Sequence, residues 1–477
     1  MMGEGSDIGA SGDLADLSAT ELVAGYRDGR WTPVEVVDAV HARIDALEPT
    51  LRALYAPDPD AARAAAGESE RRWQAGAPCG PLDGVPVTIK ENLATAGTPV
   101  PGGTAATELT PAAADGPPAE RVRAAGAVLL AKTTMPDMGM LSSGRSSLHA
   151  LTRNPWNPDW NPGGSSAGAA AAAAAGYGPL HLGSDIGGSI RLPAGWCGLA
   201  SLKPSWGRAP TDPPYYGRAP GPLTRTVADS ALLMSVLSGP DERDPTSLPD
   251  DQPDWRIGDV EVAGWRVALL RDAGCGLPVD AEVAAAVDGA AQTFADAGAH
   301  VEPIRPFFTR EMLDDLDLLW RVRGWAQFRE LDHDRQHAVL PYIADWCRGG
   351  ADVPGVVVMR CLNRMLEVGR ATLDATAAYD LVISPVAPVA TYPAHWHAPT
   401  NDHNRTMEHI AFTVPYNFSH QPAATVNAGF TAEGKPVGVQ LAARRFADTT
   451  ALAAASFYEQ ARPAAAVPDW PPPLGRG

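Results

Sequence analysis

At 477 residues, with 45% hydrophobic and 20% charged residues, the chain can bury a large core, which excludes a disordered or fibrous protein. A net charge of −18 disfavours nucleic acid or an anionic membrane as a surface partner. Five cysteines, odd in number and without Cys-x-x-Cys spacing, make neither a disulfide framework nor a zinc site and fit a reducing compartment.

The N-terminus, MMGEGSDIGASGDLADLSAT, is acidic and lacks an apolar signal core, and no stretch has 18 unbroken apolar residues. A cytoplasmic protein with no membrane partner is therefore expected. Residues 13–75 read as helices forming a packing layer. Ser18 and Thr32 are N-cap candidates, and Thr32 is followed by Pro33 at the first helical position and Glu35 at the third. Val36, Val37, Val40 and Ile44 then recur at helical spacing.

From 80 to 205, short apolar runs at 85–89, 128–131 and 180–183 read as strands, and Lys90 closes the first of them. A lysine in an apolar pocket has its pKa lowered by desolvation and can then act as a base; a strand-end lysine snorkelling to solvent is the alternative. Two Gly-flanked serine clusters follow, Gly163-Gly164-Ser165-Ser166 and Gly187-Gly188-Ser189. The alanine run 169–175 between them reads as a buried helix, since only small side chains let a helix lie that close to a sheet. Glycines beside a serine let substrate approach the main chain, and consecutive N–H groups in such a turn can converge on a developing negative charge. Ser189 is accordingly the candidate nucleophile. It needs a base, and His181 is the only histidine between the clusters.

Two other motifs in this stretch point elsewhere. Residues 126–133 fall one glycine short of a phosphate-binding loop and read as strand. Gly164-Ser165-Ser166-Ala167-Gly168 formally satisfies the nucleophile elbow of α/β-hydrolases, with Ser166 as nucleophile. That elbow needs a strand before it, and the prolines of 154–162 exclude one.

Further along, 210–222 reads as a Pro/Gly/Tyr loop, 227–237 as a helix and 239–254 as an acidic connection. Residues 265–270, 280–297 and 300–304 read as strand, helix and strand, either against the same sheet or as a small subdomain. The stretch 307–378 reads as helical and irregular and, as an insertion in a shared core, is expected to shape the pocket. His395, His397, His403 and His409 invite a metal reading, but Pro393 and Pro399 make their segment a loop; solvated histidines are expected, with a pocket-lining role open for one of them. Residues 380–386, 423–430 and 436–441 read as buried strands, and the Pro-rich tail 463–477 as surface.

Taken together, Gly-Val-Pro-Val-x-Ile-Lys (84–90), Gly-Gly-Ser-Ser-x-Gly (163–168) and Gly-Ser-Asp-x-Gly-Gly-Ser-Ile-Arg-x-Pro-Ala-x-x-Cys-Gly (183–198) resemble the amidase signature family. So do 32–44, 128–140, 152–158, 201–208, 415–430 and 434–441, in family order. The resemblance implies an α/β fold, a single large domain with a mixed β-sheet core covered by helices on both faces. Within it, 1–75 would be an N-terminal helical layer, 76–240 the catalytic core, 241–378 the pocket-shaping insertion, 379–462 the strands and helix completing the core, and 463–477 a tail. It further implies a triad of nucleophile Ser189, bridging Ser165 in a cis peptide and base Lys90. The N–H groups of Ile186, Gly187, Gly188 and Ser189 would form the oxyanion hole, with no metal or cofactor. Ser166, Asp185 and Arg191 are expected to support the site, the last two as a buried pair beside the nucleophile turn.

The family block over 136–155 places Met138, Met140, Leu141, Ser142 and Arg145 at the pocket, with Leu141, Gly144, Arg145 and Ser146 departing from the pattern common in the tRNA-dependent amidotransferases. The expected activity is hydrolysis of a small, uncharged aryl or aliphatic amide, lactam or carbamate through a Ser189 acyl-enzyme; Arg145 leaves a carboxylate-bearing substrate open. The synthase-like subunit of a tRNA-dependent amidotransferase and an α/β-hydrolase-type esterase using Ser166 are the alternatives. Homo-oligomerisation is left open.

Overall fold

One mixed sheet of eleven strands runs through the computed structural model, which describes residues 13–476. The acidic residues 1–12 and the last glycine of the tail lie outside them. The strands are β1 (Leu54–Tyr55), β2 (Pro86–Lys90), β3 (Val128–Thr133), β4 (Leu180–Asp185), β5 (Ala200–Lys203), β6 (Ala219–Thr224), β7 (Arg266–Leu269), β8 (His300–Pro303), β9 (Leu381–Pro385), β10 (Ala423–Phe430) and β11 (Pro436–Ala443). Their order across the sheet is β1-β3-β2-β4-β6-β5-β10-β11-β9-β7-β8. β2 lies parallel between β3 and β4, and β7 parallel between β8 and β9, while β6, β5, β10 and β11 join these blocks by antiparallel pairing.

Alternation along the strands sorts the core into two layers. Val267, Leu269, Leu381 and Ile383 pack in one apolar cluster with Val287 and Phe294 of the helix Ala281–Asp296 and with Leu452 and Tyr458 of the helix Asp448–Ala461. Ala268, Val382 and Ala442 fall in another, with Leu316 and Trp320 of the helix Arg310–Phe328 and Met365 of the helix Gly355–Thr376. Helices thus cover both faces of a single α/β domain. Among the described residues no helix is long and apolar enough to cross a membrane.

Local chemistry accounts for the elements. Ser18 and Thr32 cap the helices Ala19–Asp28 and Pro33–Leu51, each in a full capping box with Glu21 and Glu35. All nine residues of the helix Ala167–Ala175 are buried, and a Cβ on Gly168 would overlap the Ala53 carbonyl and the Thr134 amide. The strand–helix–strand segment 265–304 adds β7 and β8 to the edge of the common sheet and is no separate subdomain. One expectation is corrected: 210–222 is not all loop, because β6 begins at Ala219 and sits between β4 and β5. Its prolines fit because β5 pairs only with Leu223 and Thr224, beyond them, and a side chain at Gly221 would collide with the Leu202 carbonyl.

Candidate active site

Lys90 ends β2, every residue of which is buried, and its side chain is fully out of water. Its Nζ lies 2.8 Å from Ser165 Oγ, 3.0 Å from Ser166 Oγ and 3.4 Å from the Ser184 carbonyl. Burial lowers its pKa to about 7, with Asp185 and Glu91 opposing the fall. A sizeable neutral fraction therefore exists near neutral pH, with a lone pair able to accept a proton from Ser165.

Ser165 follows a cis Gly164–Ser165 peptide. Gly163 and Gly164 are glycines by necessity: a Cβ on the first would come 2.6 Å from the Trp196 ring, and one on the second 2.7 Å from the Ser143 amide. Ser166 starts the alanine helix and is wholly buried, its Oγ occupied by Lys90 and by Ser184. The segment before it is a loop, so the strand–elbow–helix arrangement of an α/β-hydrolase nucleophile is absent at Ser166.

Ser189 lies in the turn after β4, and an Asp185–Arg191 pair, 0% exposed on both sides, fixes that turn. The Asp185 carboxylate accepts from the N–H groups of Gly188 at 2.8 Å and Ile190 at 3.1 Å, from Arg191 Nε at 3.0 Å and from Asn417 Nδ2 at 3.0 Å. Burial alone would raise its pKa, yet the Arg191 charge and these donors hold it well below the usual carboxylate range. Arg191 also donates to the Thr413 carbonyl, Gln440 Oε1 and Asn417 Oδ1, so the arginine is saturated. The Ser166 N–H donates to the Ser189 carbonyl at 3.2 Å, tying the two serine turns together.

One oxyanion expectation is corrected here. The Gly188 N–H is taken by Asp185 and Gly188 does not line the cavity, whereas Ile186, Gly187 and Ser189 do. The amides of those three have no hydrogen-bond acceptor among the described residues. Gly188 is instead needed for its backbone, with φ +131° and a Cβ that would fall 2.6 Å from Thr413 Oγ1.

The cavity is lined by Ser165 and Ser189 together with Met138, Met140, Leu141 and Ser142. Arg145, expected there, is absent from the lining. The chain turns away at Ser143, whose Oγ donates to the Trp396 carbonyl, and the Arg145 charge is felt by His397 instead. The histidine segment is also corrected in part. His395 is exposed and His397 stacks on Tyr342 at 4.4 Å, but His409 is buried, its Nε2 2.7 Å from Ser142 Oγ, with its pKa lowered to about 3 by burial. It is therefore neutral and holds the Ser142 wall.

Sequence reasoning missed Arg218, Trp320, Arg323, Met407 and Ile410, all lining the cavity, and the buried Thr413, Asn417 and Gln440 behind Arg191. The block 415–430 stood out in the sequence, but nothing local tells that Asn417 meets residue 191. Arg218 and Arg323 carried no motif at all.

Comparison with known proteins agrees with this architecture. The chain is 35% identical over 458 residues to an acylamidase of Rhodococcus erythropolis, covering 94% of this chain and 96% of that protein. It is 33% identical over 479 residues to a glutamyl-tRNA(Gln) amidotransferase subunit of Chloroflexus aurantiacus, covering 94% and 97%. The solved structure of a bacterial aryl acylamidase of the amidase signature family superposes with a TM-score of 0.85 at 29% identity, over 93% of this chain and 96% of that one. Residues 35–452 match the family model described as Amidase. The chain belongs to the amidase signature family and is an amidohydrolase acting on amide C–N bonds.

Proposed function

We propose that Ser189 attacks a carboxylic amide to form an acyl-enzyme, with Ser165 and Lys90 as its proton relay. The observation that carries this reading is the buried Lys90 Nζ, 2.8 Å from a Ser165 hydroxyl that opens on the same cavity as Ser189. The Ser189 proton passes to Ser165 and the Ser165 proton to neutral Lys90. The amides of Ile186, Gly187 and Ser189 receive the oxyanion, donors that are often the largest single contribution to such catalysis. Lys90, through Ser165, then protonates the leaving amine, and water releases the acyl group. A positioned base of this kind supplies about 10²–10⁴-fold. The methionine-rich lining suits an aryl or aliphatic amide body, and lactams or carbamates can react by the same steps. Five unpaired cysteines support the reducing cytoplasm as its location.

Fluorophosphonate labelling with peptide mass mapping, on wild type and Lys90→Ala, tests the relay. The expected result is a mark on Ser189 that is lost or much slowed without Lys90. A mark on Ser166 that ignores Lys90 would overturn it.

The 33% identity to the amidotransferase protein favours a second reading, an ammonia-releasing component of a larger assembly. The altered 141–146 loop and the −18 charge weigh against it. Co-purification with partner proteins of such an assembly would revive it.

A further inference from the structure

Two positive charges line the cavity and none of its lining residues is acidic. Arg218 precedes Ala219, which pairs with Asp185 at the mouth of the nucleophile turn, and Arg323 projects from the helix Arg310–Phe328. Among the described residues neither makes an ion pair with a carboxylate, although Asp and Glu outnumber Lys and Arg in the chain by 56 to 38. Arg218 is half-buried; its Nη1 reaches only the Pro213 carbonyl, at 3.4 Å, and its Nε has no partner. The Arg323 guanidinium lies over the Tyr215 ring at 3.9 Å, an arrangement that uses its face and leaves its N–H edges free. Arg218 sits over the same ring at 5.7 Å, so two like charges are held close together. Burial and Arg323 together lower the pKa of Arg218 to about 10. Like charges with idle donors in a partly desolvated cavity are costly unless an anion joins them.

We propose that Arg218 and Arg323 receive a carboxylate of the substrate, so that the amide cleaved here has an apolar body and an anionic group. This replaces the uncharged substrate suggested by the sequence and rests on the acyl-enzyme reading above. Leu192, Trp320, Met407 and Ile410 would hold the apolar body while the planar guanidinium edges meet the planar anion, the geometry in which arginine binds best.

The test compares matched substrates: glutaryl-4-nitroanilide with valeryl-4-nitroanilide, and 4-acetamidobenzoate with 4-acetamidotoluene, so that the carboxylate lies on the acyl half or on the amine half. In at least one pair kcat/KM of wild type favours the carboxylate about 10-fold or more, the scale of hydrogen bonds to a charged group. In Arg218→Met and Arg323→Met that ratio falls about 10-fold or more. Preference for the neutral member in both pairs, or a ratio unmoved in both variants, overturns the proposal. The Arg218 charge also disfavours the protonated form of Lys90, and a role limited to that would lower both members alike and so leave the ratio unmoved. Ser189→Ala separates the two readings, because loss of turnover of every substrate with an unmoved ratio in the arginine variants sinks only the carboxylate. Titration of Ser189→Ala with glutaramate and with valeramide, which differ only at the far carboxylate, reads the same preference without turnover, and tighter binding of valeramide counts against it.

Discussion

Lys90 and Lys132 sit on neighbouring parallel strands, both out of water, and burial brings both pKa values to about 7. In register, Lys132 stands opposite Ile89, whereas Lys90 stands opposite Thr133. Successive side chains on a strand point to opposite faces, so one step of register sends the two lysines to different sides of the sheet. Lys90 meets two serine hydroxyls beside a cavity. Lys132 meets Thr95 Oγ1 at 2.6 Å and the Leu93 carbonyl, and does not line the cavity that holds Ser165 and Ser189. Lys203, also buried and also near 7, donates to the Pro204 carbonyl at 2.8 Å. A depressed pKa therefore reports burial; chemistry depends on which group lies within hydrogen-bond reach.

The sharpest break in that comparison is at the nucleophile. Ser189→Ala should lower kcat/KM for an amide by about 10⁴-fold or more, while Lys132→Met leaves turnover close to wild type. Lys90→Ala should cost about 10²–10⁴-fold, read by steady-state kinetics. If Lys132→Met lost as much, the distinction between the two faces would fail.

The pH profile sharpens the same contrast. Below pH 7 Lys90 keeps its proton and cannot accept another, so kcat/KM should rise with pH through an apparent pKa near 7. Lys132→Met should keep that limb in place, and a limb that moved with Lys132 would assign the titration to the wrong lysine.

Effects on stability come next. Arg191→Met strands the buried Asp185 charge and should cost about 3–5 kcal/mol in urea unfolding. Lys132→Met removes the donor to the Thr95 hydroxyl oxygen and leaves the Leu93 carbonyl with the Thr95 hydroxyl alone, and should cost about 1–3 kcal/mol in the same measurement.

Much of the scaffold was legible because its signals are local. Caps at Ser18 and Thr32, the apolar runs of β2, β3 and β4, and an alanine run too small-sided for anything but close packing each act over a few residues. The glycine-serine turns and Lys90 could be singled out for the same reason. What escaped depends on long-range direction. Arg145 follows pocket residues in sequence, but the chain reverses at Gly144, where Asn161 Oδ1 takes the amide and a Cβ would overlap the Thr152 carbonyl. The prolines of β6 argued for loop until its neighbours were known, and His409 looked solvated until Ser142 was found against it. Arg218 and Arg323 are brought together by a loop and a helix about a hundred residues apart, with no periodicity to betray them.

The Asp185–Arg191 clamp has a consequence for synthesis. Arg191 is made before the midpoint of the chain, but the groups that saturate it, Thr413, Asn417 and Gln440, lie 222, 226 and 249 residues later. A ribosome-bound chain bearing both serine turns still carries a buried-to-be guanidinium with three of its four partner residues unmade. The turn that carries Ser189 can therefore complete its hydrogen bonds only after residues 413–440 have been made.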